Sequence, residues 1–177
     1  MDLLKKLVMA LLILVLLFVG VGFILPSEFK VERSISIDAP ADKVYAQVVD
    51  LKNWRNWGVW FQRDPAMQVS YEGPEAEVGM VSKWVSESEG NGEMKIIAAD
   101  ANKRLVYSLY FPDFEMGSTG EIVLKEADGK TEVIWQDYGD VGSNPINHYF
   151  AAMMDSMVGP DFETGLENLK VLVENRH

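Results

Sequence analysis

From Leu7 to Leu25 the chain reads LVMALLILVLLFVGVGFIL, with no charged side chain. A helix of that length reaches roughly 28 Å, about the hydrocarbon thickness of a bilayer. No polar face interrupts the run, so it does not read as an amphipathic helix lying on a core. A cleaved signal peptide has a shorter apolar stretch followed by small residues. Here Gly20 and Gly22 are followed by more apolar sequence, Phe23-Ile24-Leu25. Residues 1–27 are therefore expected to be an uncleaved anchor, with membrane contact from Leu7 to Leu25. Lys5 and Lys6 precede the run, whereas Lys30 on the other flank is matched by Glu28. The positive-inside rule then leaves the N-terminus in the cytoplasm. The expected location is the bacterial inner membrane, single-pass, with residues 28–177 as one domain in the periplasm.

The 177 residues carry 27 acidic and 16 basic side chains, a net charge of −11. Phosphate backbones repel such a chain, and no segment is dense in Lys or Arg, so no nucleic-acid partner is expected. There is no cysteine, which excludes disulfides, thiolate catalysis, Cys-based metal sites and a lipoprotein anchor. The two histidines, His148 and His177, cannot build a His-rich site. No metal or cofactor is expected.

After the anchor, FKVERSISI alternates over Phe29 to Ile37, the pattern of a half-buried strand. Arg33 breaks the pattern by falling on the apolar side. Asp38-Ala39-Pro40 ends the strand, and a helix follows to about Asp50. Trp54, Trp57 and Trp60 then recur at a spacing of three, which stacks them on one side of a short helix or 3₁₀ turn. They read either as a plug closing one end of the core or as the rim of a ligand mouth.

Short strands follow at Met67–Tyr71, Met80–Ser86, Glu93–Ala99, Leu105–Phe111, Gly117–Lys125 and Thr131–Tyr138, separated by turn sequences such as ESEGNG and ADGK. Strands joined this closely imply an antiparallel sheet. Pro145 opens a last helix, Ile146 to about Asn175, in which Gly159-Pro160 predicts a kink or short break. Phe162, Leu166, Leu169 and Val173 form its core stripe. The fold class is α+β, a curved antiparallel sheet of about seven strands covered by a long C-terminal helix.

VERSISIDAPADKVYAQVVDLKNWRNW, Gly79 opening a strand, Gly120 within another and Thr131-x-Val133-x-Trp135 resemble the SRPBCC or START-like superfamily. The likeness is to its polyketide cyclase/dehydrase and lipid-transport branch and covers about residues 29 to 174. It implies a helix-grip fold like that of the birch-pollen-allergen proteins, with hydrophobic ligands held in a cavity between sheet and helix. A minority of members catalyse cyclisation or hydrolysis, and the family carries no universal catalytic residue to transfer.

Candidate wall residues for such a cavity are Trp60, Trp84, Tyr107, Trp135, Phe150, Met153, Met154 and Met157; Met side chains give a pliable surface. For chemistry, the weak candidates are Asp137 and His148. Asp137 shares strand parity with Val133 and Trp135. It reads as an inward carboxylate, either ion-paired with Arg33 or poised as an acid or base. His148 reads as a surface-exposed or cap-region residue near a helix start. Three functions follow. The first is a membrane-anchored binding or carrier domain for a hydrophobic small molecule or lipid. The second is a cyclase or hydrolase of the same fold. The third is an envelope interaction module with a filled core.

Overall fold

Helix α1 spans Asp2–Gly22 in the computed structural model, which describes residues 2–175. His177 lies outside them. The apolar run thus begins inside a helix and ends in a turn, with Phe23, Ile24 and Leu25 donating back to the Val19 and Val21 carbonyls.

The alternating segment becomes β1, Glu28–Ile37. Three short helices follow: α2 at Ala41–Val48, a 3₁₀ helix at Leu51–Asn56 and α3 at Val59–Arg63. The remaining strands are β2 (Gln68–Glu72), β3 (Val81–Val85), β4 (Gly92–Asp100), β5 (Arg104–Phe111), β6 (Met116–Ala127) and β7 (Lys130–Asp140). Among the described residues they form one antiparallel sheet in the order β1-β7-β6-β5-β4-β3-β2. The β6–β7 hairpin turns through Asp128 and Gly129 at φ 54° and 75°, the left-handed pair that a two-residue turn requires.

Helix α4 covers Pro145–Glu174. Asn144 caps it, its side-chain oxygen accepting from the Ile146 amide at 3.0 Å. The expected break at Gly159-Pro160 is absent, and the helix runs through it. Pro160 removes one amide, which costs a single helical bond at Ser156. Packing against β1 holds the rest in line.

That packing also resolves Arg33. Its guanidinium reaches α4, with Nη1 donating to Asp155 at 2.7 Å and Nε to Glu163 at 2.6 Å. Gly159 makes room for it: a Cβ there would stand 2.0 Å from Arg33 Nη2. Phe162, Leu166, Leu169 and Val173 are buried on the face toward the sheet. Each contributes about 1.5–3 kcal/mol by leaving water.

Candidate functional site

Strand register sets which side chains share the inner face of the sheet. Val31, Asp137, Gly120, Tyr107, Ile96 and Met80 form one transverse row. Ser118, Leu109, Met94, Ser82 and Tyr71 form the next. Phe111, Gly92, Trp84 and Val69 lie beyond.

The first row belongs to a packed core. Where the 3₁₀ helix and α4 cover the sheet, Trp54, Trp57, Trp135 and Phe162 are each at most 3% exposed. Trp135 stacks on Phe162 with centroids 3.9 Å apart. The Trp54, Trp57 and Trp60 rings stand edge-on or steeply inclined to Trp135 at 5.6, 5.2 and 6.0 Å. The Trp54 and Trp57 indoles donate to the carbonyls of Val48 and Gln47, at the end of α2. The hollow expected between the sheet and α4 is thus occupied here by aromatic rings, with Trp54 and Trp57 as the plug and Trp60 at its edge. Tyr107 and Trp135, expected as walls, are core residues joined by an indole-to-hydroxyl hydrogen bond of 2.7 Å.

Beyond this plug the inner face becomes half-buried. Trp84, Met94, Leu109, Phe111 and Ser118 all retain some exposure, as do Trp60 on α3 and Met154 on α4. Trp60, Met94, Leu109 and Met154 pack, partly buried, against the core, and Trp84 is likewise half-buried. Trp84 stands edge-on to Phe111 at 6.0 Å and crosses Gly92, where a Cβ would meet its ring at 2.1 Å.

This side is strapped at its rim. Arg63, the last residue of α3, donates to Glu89 of the β3–β4 loop and Asp161 of α4, each through two nitrogens at 2.7 to 3.0 Å. The Ser86 hydroxyl donates to Asp64 at 2.6 Å.

Asp137 stands at the boundary between packed core and half-open wall. It is 6% exposed and accepts from the Ser118 hydroxyl at 3.1 Å. The expected ion pair with Arg33 does not form, because Arg33 is committed to Asp155 and Glu163. Burial without a cation raises the carboxyl from 3.8 to about 7, and the Ser118 hydrogen bond only partly opposes this. Burial likewise raises the nearby Tyr107 hydroxyl well above its ordinary value, and the Asp137 charge adds to the effect. Asp137 is thus a buried carboxyl that holds its proton more tightly than an ordinary aspartate, with the Ser118 hydroxyl as its partner.

The other candidates lie elsewhere. His148 is not exposed but buried, its Nδ1 2.7 Å from the Gly22 carbonyl and its Nε2 2.9 Å from that of Gly142. It ties α4 to the end of α1 and to the loop after β7, with no hydrogen bond to Asp137. Phe150, Met153 and Met157 do not face the sheet; they are 52%, 53% and 55% exposed on the outside of α4. Their face of the helix points away because Ala151, Gly159 and Phe162 occupy the inner one. A separate open groove of about 540 Å³ lies at one end of the β1–β7 pair, lined by Glu28, Phe29, Lys30, Tyr138, Gly139 and Asp140. No group of His, Asp or Glu side chains among the described residues is arranged to hold a metal ion.

The sequence reading missed Ser118 and Met94 as members of the wall. Strand parity was the available signal, since both share a face with Leu109 once the register is known. The Arg63 strap left no local signal, because its partners are far apart in the chain.

Solved structures share this architecture. A protein of Thermobifida fusca, solved in solution by NMR, superposes with a TM-score of 0.64 at 19% identity, covering 84% of this chain and 96% of that one. The Aha1 dimer of Colwellia psychrerythraea gives 0.56 at 19% identity, over 82% and 96%. CalU16 of Micromonospora echinospora gives 0.57 at 17%, over 82% and 76%. At these identities the likeness is one of fold. No curated protein matches the chain. Residues 28–174 match the family described as polyketide cyclase / dehydrase and lipid transport, and they span β1 through the last turn of α4. With the helix-grip sheet, the tryptophan plug and α4 all lying inside that stretch, the chain belongs to the polyketide cyclase/dehydrase and lipid-transport family.

Proposed function

We propose that the domain binds a hydrophobic small molecule or lipid bearing one hydrogen-bonding group, and that α1 holds it against a membrane. The apolar part lies over Trp60, Trp84, Met94, Leu109 and Met154, and the polar group meets Asp137 and Ser118. The observation that carries this reading is the position of Asp137: a buried carboxyl with a single hydroxyl partner, beside half-exposed apolar side chains. A buried acid without a cation costs stability, and such costs are retained where a ligand uses the group. The family to which the chain belongs is described by cyclase, dehydrase and lipid-transport members, which fits a site for apolar molecules.

Helix α1 supports the membrane part of the proposal. It is 21 residues long, and its most apolar 18-residue stretch has a mean hydropathy of 2.6, long and apolar enough to cross a bilayer. With Lys5 and Lys6 inside, the domain lies on the outer face of the bacterial inner membrane. An anchored binding site meets lipophilic molecules at the high local concentration of the bilayer.

The same carboxyl also favours a second reading, an enzyme of the cyclase or hydrolase kind with Asp137 as general acid or base. Native mass spectrometry of the full chain, released from nanodiscs after incubation with bacterial lipid extract, separates the outcomes. Binding predicts an added mass in the wild type that Leu109→Trp, which fills the wall, abolishes. An added mass that changes with time in the wild type but not in Asp137→Asn makes the protein an enzyme. A chain that stays at its own mass throughout refutes the site.

A further inference from the structure

The outer face of α4 changes character at Pro160. Over the first three turns, Ile146, Phe150, Met153 and Met157 recur at steps of four, three and four, which puts them in one narrow arc of the helix. All four are between 49% and 55% exposed. Beyond Pro160 the exposed arc carries Thr164, with Val171 the one large exposed apolar side chain there. The apolar stripe is roughly 16 Å long at 1.5 Å per residue.

It begins where α1 ends. The Phe18 and Tyr149 rings stack at 4.3 Å, and the Tyr149 hydroxyl donates to the Phe18 carbonyl at 2.6 Å. His148 lies 2.7 Å from the Gly22 carbonyl, and a Cβ at Gly22 would meet Pro145. Phe23 and Ile24, in the turn that follows α1, are 67% and 84% exposed. Apolar surface therefore passes from α1, through this turn, to the first turns of α4. Tyrosine is enriched at membrane–water interfaces, and Tyr149 lies against the C-terminal part of α1.

We infer that the stripe of Ile146, Phe150, Met153 and Met157 docks into the headgroup–acyl boundary of the bilayer that α1 crosses. The stripe adjoins the helix that meets lipid, and so the bilayer is its nearest apolar surface. No Lys or Arg lies between Ile146 and Met157, and the chain carries a net charge of −11. Docking is therefore driven by burial of apolar area and not by attraction to anionic headgroups. Docking fixes the orientation of the domain above the membrane, where a single anchor alone would leave it free to swivel.

The inference rests on the reading of α1 as a membrane span, and the test separates the two. The chain has no cysteine, so one introduced thiol gives one label site. The full chain would carry an environment-sensitive fluorophore at Leu11→Cys, Phe150→Cys, Met153→Cys or Thr164→Cys, in vesicles of phosphatidylethanolamine and phosphatidylcholine. Lipids with a nitroxide near the headgroup or deep in the acyl chain serve as quenchers. The expected result is deep quenching at position 11, shallow quenching at 150 and 153 at least about twofold above that at 164, and no change on adding salt. Quenching at 11 without quenching at 150 and 153 overturns the docking and leaves the span intact. No quenching at 11 overturns the span and the docking with it. Labels at 150 and 153 shielded from both lipid and aqueous quenchers would mean that a second copy covers the stripe, which also overturns the proposal.

Discussion

The ring of Tyr107 crosses the backbone of Gly120 so closely that a Cβ at position 120 would stand 2.0 Å from Tyr107 Cζ. Tyr107 is 1% exposed and tied to the Trp135 indole, so it has nowhere to retreat. Gly120→Ala is expected to cost about 1–3 kcal/mol, the range for overpacking a filled core. Gly92→Ala makes a similar clash with Trp84, but that ring is half-exposed and can swing away, so it should cost less. Urea unfolding of both variants, compared by midpoint at unchanged slope, checks the order.

Asp137 gives the fold a distinctive pH dependence. Its carboxyl sits at about 7 in the folded domain against an ordinary 3.8. Below the lower value it is protonated in both states and costs nothing. As pH rises from about 4 to 7, the unfolded chain ionises it while the folded one does not, so stability falls and then levels off. The displacement corresponds to about 4 kcal/mol as an upper figure. Asp137→Asn should remove this loss, so the variant's advantage over wild type grows between pH 4 and 7. Paired denaturation curves across that range measure it; a constant difference would contradict the burial described above.

The Arg63 strap should be loose in energy but clear in dynamics. Arg63 is 43% exposed, so screening by water holds its pairs with Glu89 and Asp161 to about 1 kcal/mol. Arg63→Gln is expected to leave the sheet core unchanged, yet to speed amide exchange in residues 86–91, with a smaller effect at high salt. Hydrogen exchange followed by mass spectrometry reads both regions at once.

Much of this architecture was legible in the chain. The alternation of FKVERSISI and the turn chemistry of Asp128-Gly129 carry their structure locally, whereas Trp54, Trp57 and Trp60, expected on one short helix, are split between the 3₁₀ helix, its end and α3. The direction of α4 was less legible. Its first half offers two apolar faces, one through Ala151 and one through Phe150, Met153 and Met157. Which of them turns inward is decided by Arg33, Asp155 and Gly159, residues that meet only across the fold. The same holds for His148, whose carbonyl partner at Gly22 lies at the other end of the sequence. The place of Asp137 followed from parity alone, but its freedom from Arg33 did not.

The sheet order pairs β1 with β7, so Glu28 stands opposite Asp140 and Ile37 opposite Thr131. During synthesis the first strand leaves the ribosome long before its neighbour exists. It must wait, unpaired, until nearly the whole polypeptide has emerged. A topology with contacts this distant in sequence also closes slowly. The two ends of the folded domain are therefore held together by the last pairing to become possible, and the sheet can close only once β7 is present.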